Sequence, residues 1–262
     1  MQPMSTRPWD RAFRSPATLD GRRRPEIAAL PAGLPSLGQL FTFMRDAELR
    51  FETLRLTIEE RTTTAEDETL TIVETLLRHP ADARVTRSEP ARGTAGNHEI
   101  WISDGTTVRT YSGQHRLGSS RPVRRVVEGL DGPDLPGSSA VYAPLTRLPM
   151  DSLPEAFVHP AGFCQNVLAT GRCRVAGTTE VAGREAIVIE SDDPRTSEVW
   201  ADQSGHRLEV SVDRETGVIV RLVESMDGVV TRDAVAVNLE PDVTLPPTAF
   251  DFTIPTGART IF

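Results

Sequence analysis

Two cysteines, Cys164 and Cys173, and five histidines, His79, His98, His115, His159 and His206, are the side chains of this 262-residue chain best suited to nucleophilic, redox or metal chemistry. Only QNVLATGR separates the cysteines. A loop this short can be bridged if the local helix ends before Gly171, and a disulfide would suit an exported protein; two buried free thiols are the alternative. His159 precedes Cys164 in HPAGFC, a spacing that raises the idea of a Cys–His nucleophilic pair. No third residue orients that histidine and no oxyanion turn follows it. The histidines stand singly, without CxxC or HExxH spacing, so no metal centre is expected. All 29 basic residues are Arg, which excludes a phosphate loop of the GxxxxGK type; GxGxxG after a strand and GxSxG are also missing. Acidic pairs such as Asp192-Asp193 and Glu59-Glu60 fall at strand ends or edges and read as solvated charge. No catalytic residue, metal or cofactor is assigned, and the chain reads as a non-enzyme.

The elements that would position any site are mostly strands. Residues 206–252 organise the chain: Leu208, Val210 and Val212 alternate with polar neighbours, and Val218, Val220 and Leu222 do so again after the turn DRETG. A second turn at Asp227-Gly228 leads into 229–238, where Thr231, Asp233, Val235 and Val237 share one face. Three such strands predict an antiparallel meander. The segment 245–252, with two prolines and then FDF, predicts a return segment capping the sheet.

Upstream, residues 1–35 are rich in turn formers and predict a flexible N-terminal arm, followed by one folded domain over 36–262. Ser36 is placed as the N-cap of an amphipathic helix carrying Leu37, Leu40, Phe41, Met44, Ala47 and Leu49. Strands are predicted at 51–64, 68–78, 83–88, 99–103 and 107–111, the last two joined across Asp104-Gly105. Residues 113–150 form a long connection rich in Pro, Gly and Ser, of the kind that makes a flap or ordered loop. A second helix is predicted over 153–169 with a break or kink at Pro160, then strands at 174–177, 179–181, 186–190 and 197–202. This order fits an α+β fold built on one strongly curved antiparallel sheet with helices packed on one face.

Charge and hydropathy limit the partners. A net charge of -8 and a sequence pI near 5.2 argue against nucleic acid or an anionic membrane surface as the main partner. No stretch is apolar and long enough for a transmembrane segment, and the Arg- and Pro-rich N-terminus lacks the apolar core of a secretory signal, so a cytoplasmic location is expected.

The ordered set LLRHPADARVTRSE, IWISDGTTVRTYSG, VAGREAIVIES, VDRETGVIVRLVES and LPPTAFDFTIPTGA resembles the LolA/LolB-like superfamily of lipoprotein carriers, including sensors of the RseB type, over residues 37–258. The resemblance implies an unclosed half-barrel of about eleven antiparallel strands, with helices on a concave apolar face that accepts acyl chains. It also implies an extracytoplasmic alternative for the location. The implied role is non-enzymatic binding of a lipid, acylated chain or other hydrophobic ligand. The cavity wall is then expected at Leu56, Ile58, Ile72, Ile102, Val210 and Val235, with Trp101 and Trp200 on the faces opposite Ile102 and Val199. The alternative function is a protein-interaction or regulatory domain, its groove plugged by its own helices and its partner engaged through the 113–150 loop.

Overall fold

A computed structural model describes residues 29–64, 66–93, 97–123, 144–160, 163–164, 167–194 and 205–261. The expected 197–202 strand, Trp200, residues 1–28 of the arm and most of the 113–150 connection lie outside them.

Alternation of apolar and polar side chains produces long strands that hydrogen-bond to their sequence neighbours. The first meander is β1 (Thr53–Thr63), β2 (Glu68–Arg78), β3 (Asp82–Ser88), β4 (His98–Asp104), β5 (Thr107–Ser112) and β6 (Leu117–Pro122). The second is β7 (Arg172–Val181), β8 (Arg184–Asp192), β9 (His206–Asp213), β10 (Ile219–Met226) and β11 (Val229–Pro241). Tight turns close their hairpins where the sequence offers a positive-φ pair: Ala182-Gly183 between β7 and β8, and Asp227-Gly228 between β10 and β11. Antiparallel pairing of β1 with β11 joins the two meanders, and β12 (Arg259–Ile261) adds parallel to β6. The result is one twelve-stranded sheet, ordered β12-β6-β5-β4-β3-β2-β1-β11-β10-β9-β8-β7, whose ends do not meet. An unclosed antiparallel sheet is what the LolA/LolB resemblance implies, with twelve strands in place of about eleven. β7 approaches β11 although three strands separate them in the sheet order, so this half is strongly curved.

Helix α1 (Leu37–Arg45) begins at Ser36 as expected. The Ser36 hydroxyl accepts from the Gln39 backbone and the Gln39 side chain accepts from the Ser36 backbone, a reciprocal cap. A 3₁₀ turn over Ala47–Arg50 carries the chain into β1. Helix α2 (Leu153–Val158) is the first part of the helix predicted over 153–169. It breaks at His159, where the sequence predicts a break or kink at Pro160, since proline disfavours helix in the residue before it; Pro160, Phe163 and Cys164 are helical again. Three expectations are corrected. β6 falls inside the segment read as loop, because GSSR has no apolar alternation. β7 is one strand rather than two, with a bulge between Val175 and Gly177. β12 is parallel, where only antiparallel neighbours were expected.

Both helices pack on one face, here called inner. Leu40 and Met44 of α1 and Phe157 and Val158 of α2 bury against Leu54, Leu56, Ile58, Val210, Leu222 and Ile189. Each large apolar side chain so buried contributes about 1.5–3 kcal/mol. The outer face of β4 and β5 is covered by the chain after β11: Ile100, Ile102 and Tyr111 pack against Phe252, Ile254 and Ala258. The expected return segment thus caps the outer face, anchored by Arg78 over the Phe250 ring. Among the described residues no helix is long and apolar enough to cross a membrane.

Candidate functional site

Strand register fixes which side chains share the inner face. One row across the sheet reads Ile58, Val73, Arg87, Glu99, Ser112 and Leu117. The next reads Leu56, Thr75, Val85, Trp101, Thr110 and Ser119. The helices bury the Ile58 and Leu56 ends completely. Toward β3–β6 the rows open into a cavity of about 550 Å³, with Val73, Val85, Trp101 and Leu117 on its floor. Pro149, Leu153 and Pro154 roof it, at the start of α2. This size falls within the range of about 300–1,000 Å³ typical of small-molecule sites.

A buried clasp holds the roof. The Glu48 carboxylate, with no exposed side-chain surface, accepts from the Leu145 backbone at 3.2 Å and stands 2.7 Å from Nδ1 of His159. The contact is off the line of a good hydrogen bond, so its attraction is chiefly that of an ion pair. Nε2 of the same ring faces the Thr146 carbonyl oxygen at 2.8 Å, and Nδ1 of His79 pairs with the Thr146 hydroxyl at 2.8 Å. A carbonyl accepts only, so Nε2 must carry a proton; the carboxylate favours a second one on Nδ1. Burial is the largest single influence on His159 and pushes its pKa down, but the Glu48 carboxylate, the Thr146 carbonyl and Glu155 together outweigh it and the net direction is up.

The rim is charged. Arg232 bridges Glu60 at 2.7 Å and Glu224 at 3.1 Å. Burial opposes its charge, yet the two carboxylates raise its pKa and keep it a cation. Arg87 and Glu99, both exposed, lie directly opposite each other on β3 and β4 without forming an ion pair among the described residues.

The six predicted wall residues divide by face. Leu56, Ile58 and Val210 are on the inner face, wholly buried in the helix-covered core rather than bordering the cavity. Ile72, Ile102 and Val235 are on the outer face, and for these three the inner-facing assignment is corrected. The cause is the period of two, by which the wrong parity exchanges every side chain. In β2 the inner positions include Thr71 and Thr75, so hydrophobicity favoured the other parity. In β4 both faces are covered, which erases alternation: Ile102 lies under the 252–258 segment while Trp101 faces the cavity. In β11 the inner residues are the small Ala234 and Ala236, and Val237 outside is 45% exposed. Trp101, Val73, Val85 and Leu117 were therefore missed as wall residues; the only sequence signal was an aromatic one step out of phase.

Cys164 and Cys173 are free thiols. Cys164 Sγ lies 3.6 Å from the Met44 sulfur, and Cys173 donates to the Leu168 carbonyl at 2.7 Å. Burial raises both thiol pKa values, that of Cys164 strongly. With the His159 ring occupied by Glu48 and Thr146, no Cys–His couple forms. Among the described residues no group of three or more His, Cys, Asp or Glu side chains is placed to hold a metal ion.

No protein-family model and no curated protein matches the sequence. Solved structures do. An uncharacterized conserved protein from Thermus thermophilus is similar at 12% identity and a TM-score of 0.46, covering 86% of this chain and 98% of that one. A chain of the Pseudomonas aeruginosa MucA/MucB complex is similar at 13% identity and a TM-score of 0.46, over 82% of this chain and 60% of that one, so the present chain spans under two thirds of its length. A LolA superfamily protein, NE2245 from Nitrosomonas europaea, is similar at 9% identity and a TM-score of 0.35, over 84% of this chain and 99% of that one. At these identities the likenesses concern fold alone.

Proposed function

We propose that the chain is a non-enzymatic binding protein that takes a single acyl chain or a comparable hydrophobic ligand into the cavity beneath α2. The observation that carries this reading is the cavity itself: an apolar floor of Val73, Val85, Trp101 and Leu117 under an apolar roof, ending in a charged rim. Chain burial contributes about 0.8 kcal/mol per methylene, so about ten methylenes give about 8 kcal/mol. Association costs about 4 kcal/mol or more, which leaves about 4 kcal/mol or less, an expected affinity of about millimolar or weaker from the chain alone.

The test is native mass spectrometry of protein purified without detergent, with organic extraction of any adduct, followed by titration with a fluorescent fatty acid. Stoichiometric lipid or saturable uptake is expected. Trp101→Glu should weaken uptake, and Val237→Glu on the exposed outer face should not. A clean apo mass with no uptake overturns the reading.

The protein-interaction alternative draws support from the other half of the inner face, where α1 and α2 leave Leu56, Ile58 and Val210 no exposure. It predicts a protein partner that is lost on deleting residues 124–143, with no lipid bound before or after.

A further inference from the structure

The rim of the cavity is unusual in its charges. Arg232 is already held between Glu60 and Glu224. Arg87 and Glu99 face each other across β3 and β4 on the inner face, both border the cavity, and neither has an ion-pair partner among the described residues. Beside Glu99 in the same row sits Ser112, whose hydroxyl is buried without a hydrogen-bond partner. In the next row the Thr110 and Ser119 hydroxyls pair at 2.7 Å, close to Trp101. One cation, one anion and spare hydroxyl capacity therefore lie within about two strand spacings of one another, roughly 10 Å, at the open end of an apolar pocket.

We infer that this rim is a head-group subsite for a zwitterionic amphiphile, with its phosphate or carboxylate on Arg87 and its ammonium on Glu99. This rests on the hydrophobic-ligand reading above. A purely anionic head would satisfy Arg87 but be repelled by Glu99, and a purely cationic head would meet the reverse. A neutral head would leave both charges as they are. Only a head bearing both signs complements the pair, and guanidinium with phosphate is the stronger half because it can be bidentate. Trp101, two residues from Glu99 on the same face, adds an aromatic ring about 7 Å along the strand for a quaternary ammonium.

The test uses the full chain and four twelve-carbon amphiphiles below their micellar concentrations, titrated by calorimetry: dodecylphosphocholine, monododecyl phosphate, dodecyltrimethylammonium and dodecyl maltoside. A common chain holds the apolar contribution constant. The zwitterion should bind most tightly. Arg87→Gln should weaken it and the phosphate by about tenfold, leaving the maltoside unchanged. Glu99→Gln should weaken the zwitterion and the ammonium but not the phosphate. Both side chains are exposed, so the substituted proteins should fold normally. Equal binding of all four amphiphiles with no effect of either substitution overturns the head-group assignment and leaves the hydrophobic-ligand reading standing. Tightest binding by the phosphate alone, persisting in Glu99→Gln, overturns the zwitterionic class. If none of the four binds, both readings fall.

Discussion

Removing the His159 imidazole should be among the most damaging single changes available to the chain, with a cost that depends on pH. The side chains of His159 and Glu48 are 4% and 0% exposed, so a lone Glu48 carboxylate would be stranded away from water in His159→Ala. Breaking one side of a buried pair costs about 3–5 kcal/mol. Replacing both residues by glutamine should cost less than the sum of the single changes, since no charge is then left unpaired. The pH dependence follows from the raised pKa of His159 in the folded chain. A raised folded value means that the folded state holds the proton more tightly than the unfolded one. The stabilisation is therefore complete below the unfolded value of 6.5 and is lost as pH rises through the folded value. Across that window the slope approaches about 1.4 kcal/mol per pH unit. Glu155 also faces the ring and supports its charge, and the double glutamine variant retains it. The assay is urea unfolding of the wild type and the double variant from pH 6 to pH 9. Their stability difference should shrink as pH rises. A flat difference, or a cost below about 1 kcal/mol for His159→Ala, refutes the assignment of a buried ion pair.

Three further outcomes are expected. Gly171→Ala should lower the urea midpoint, because a Cβ there would collide with the Ser191 hydroxyl and stand 2.7 Å from the Asp192 carbonyl oxygen; overpacking of this kind costs about 1–3 kcal/mol. Asp213→Ala should destabilise by about 2–3 kcal/mol in the same assay, since the buried carboxylate pairs with Arg184 and accepts from the Thr216 backbone and hydroxyl. Cys164, with its thiol pKa raised by burial, should resist a maleimide at pH 7 in the native chain and label at once in urea; rapid native labelling would contradict its placement.

Much of the fold was legible in the sequence because local rules set it. The alternation of β1 and β9, the turn pair Asp227-Gly228 and the N-cap at Ser36 each depend on neighbours within a few residues, and all appear where the pattern predicts. The charge complement and the absence of phosphate-loop and metal motifs were equally direct. The elements that escaped were those without a local signature: β6, which pairs through the backbone of a polar stretch, and β12, whose parallel partner β6 is distant in sequence.

The site was legible only as a kind of site. An apolar groove follows from amphipathic strands, but which residues line it is a matter of parity. Parity is settled by what covers each face. Residues 252–258 bury the outer side of β4 and leave Trp101 to the cavity, while α1 and α2 fill the groove over Leu56, Ile58 and Val210. Arg87 and Glu99 become neighbours only through cross-strand register, and Glu48 meets His159 only because the chain returns from far along the sequence. The sequence by itself determined strands, turns and which catalytic motifs are missing, since these depend on residue types and short spacings. Tertiary structure alone decided the cavity, its charged rim and its clasp, because each is an encounter between faces that no local pattern encodes.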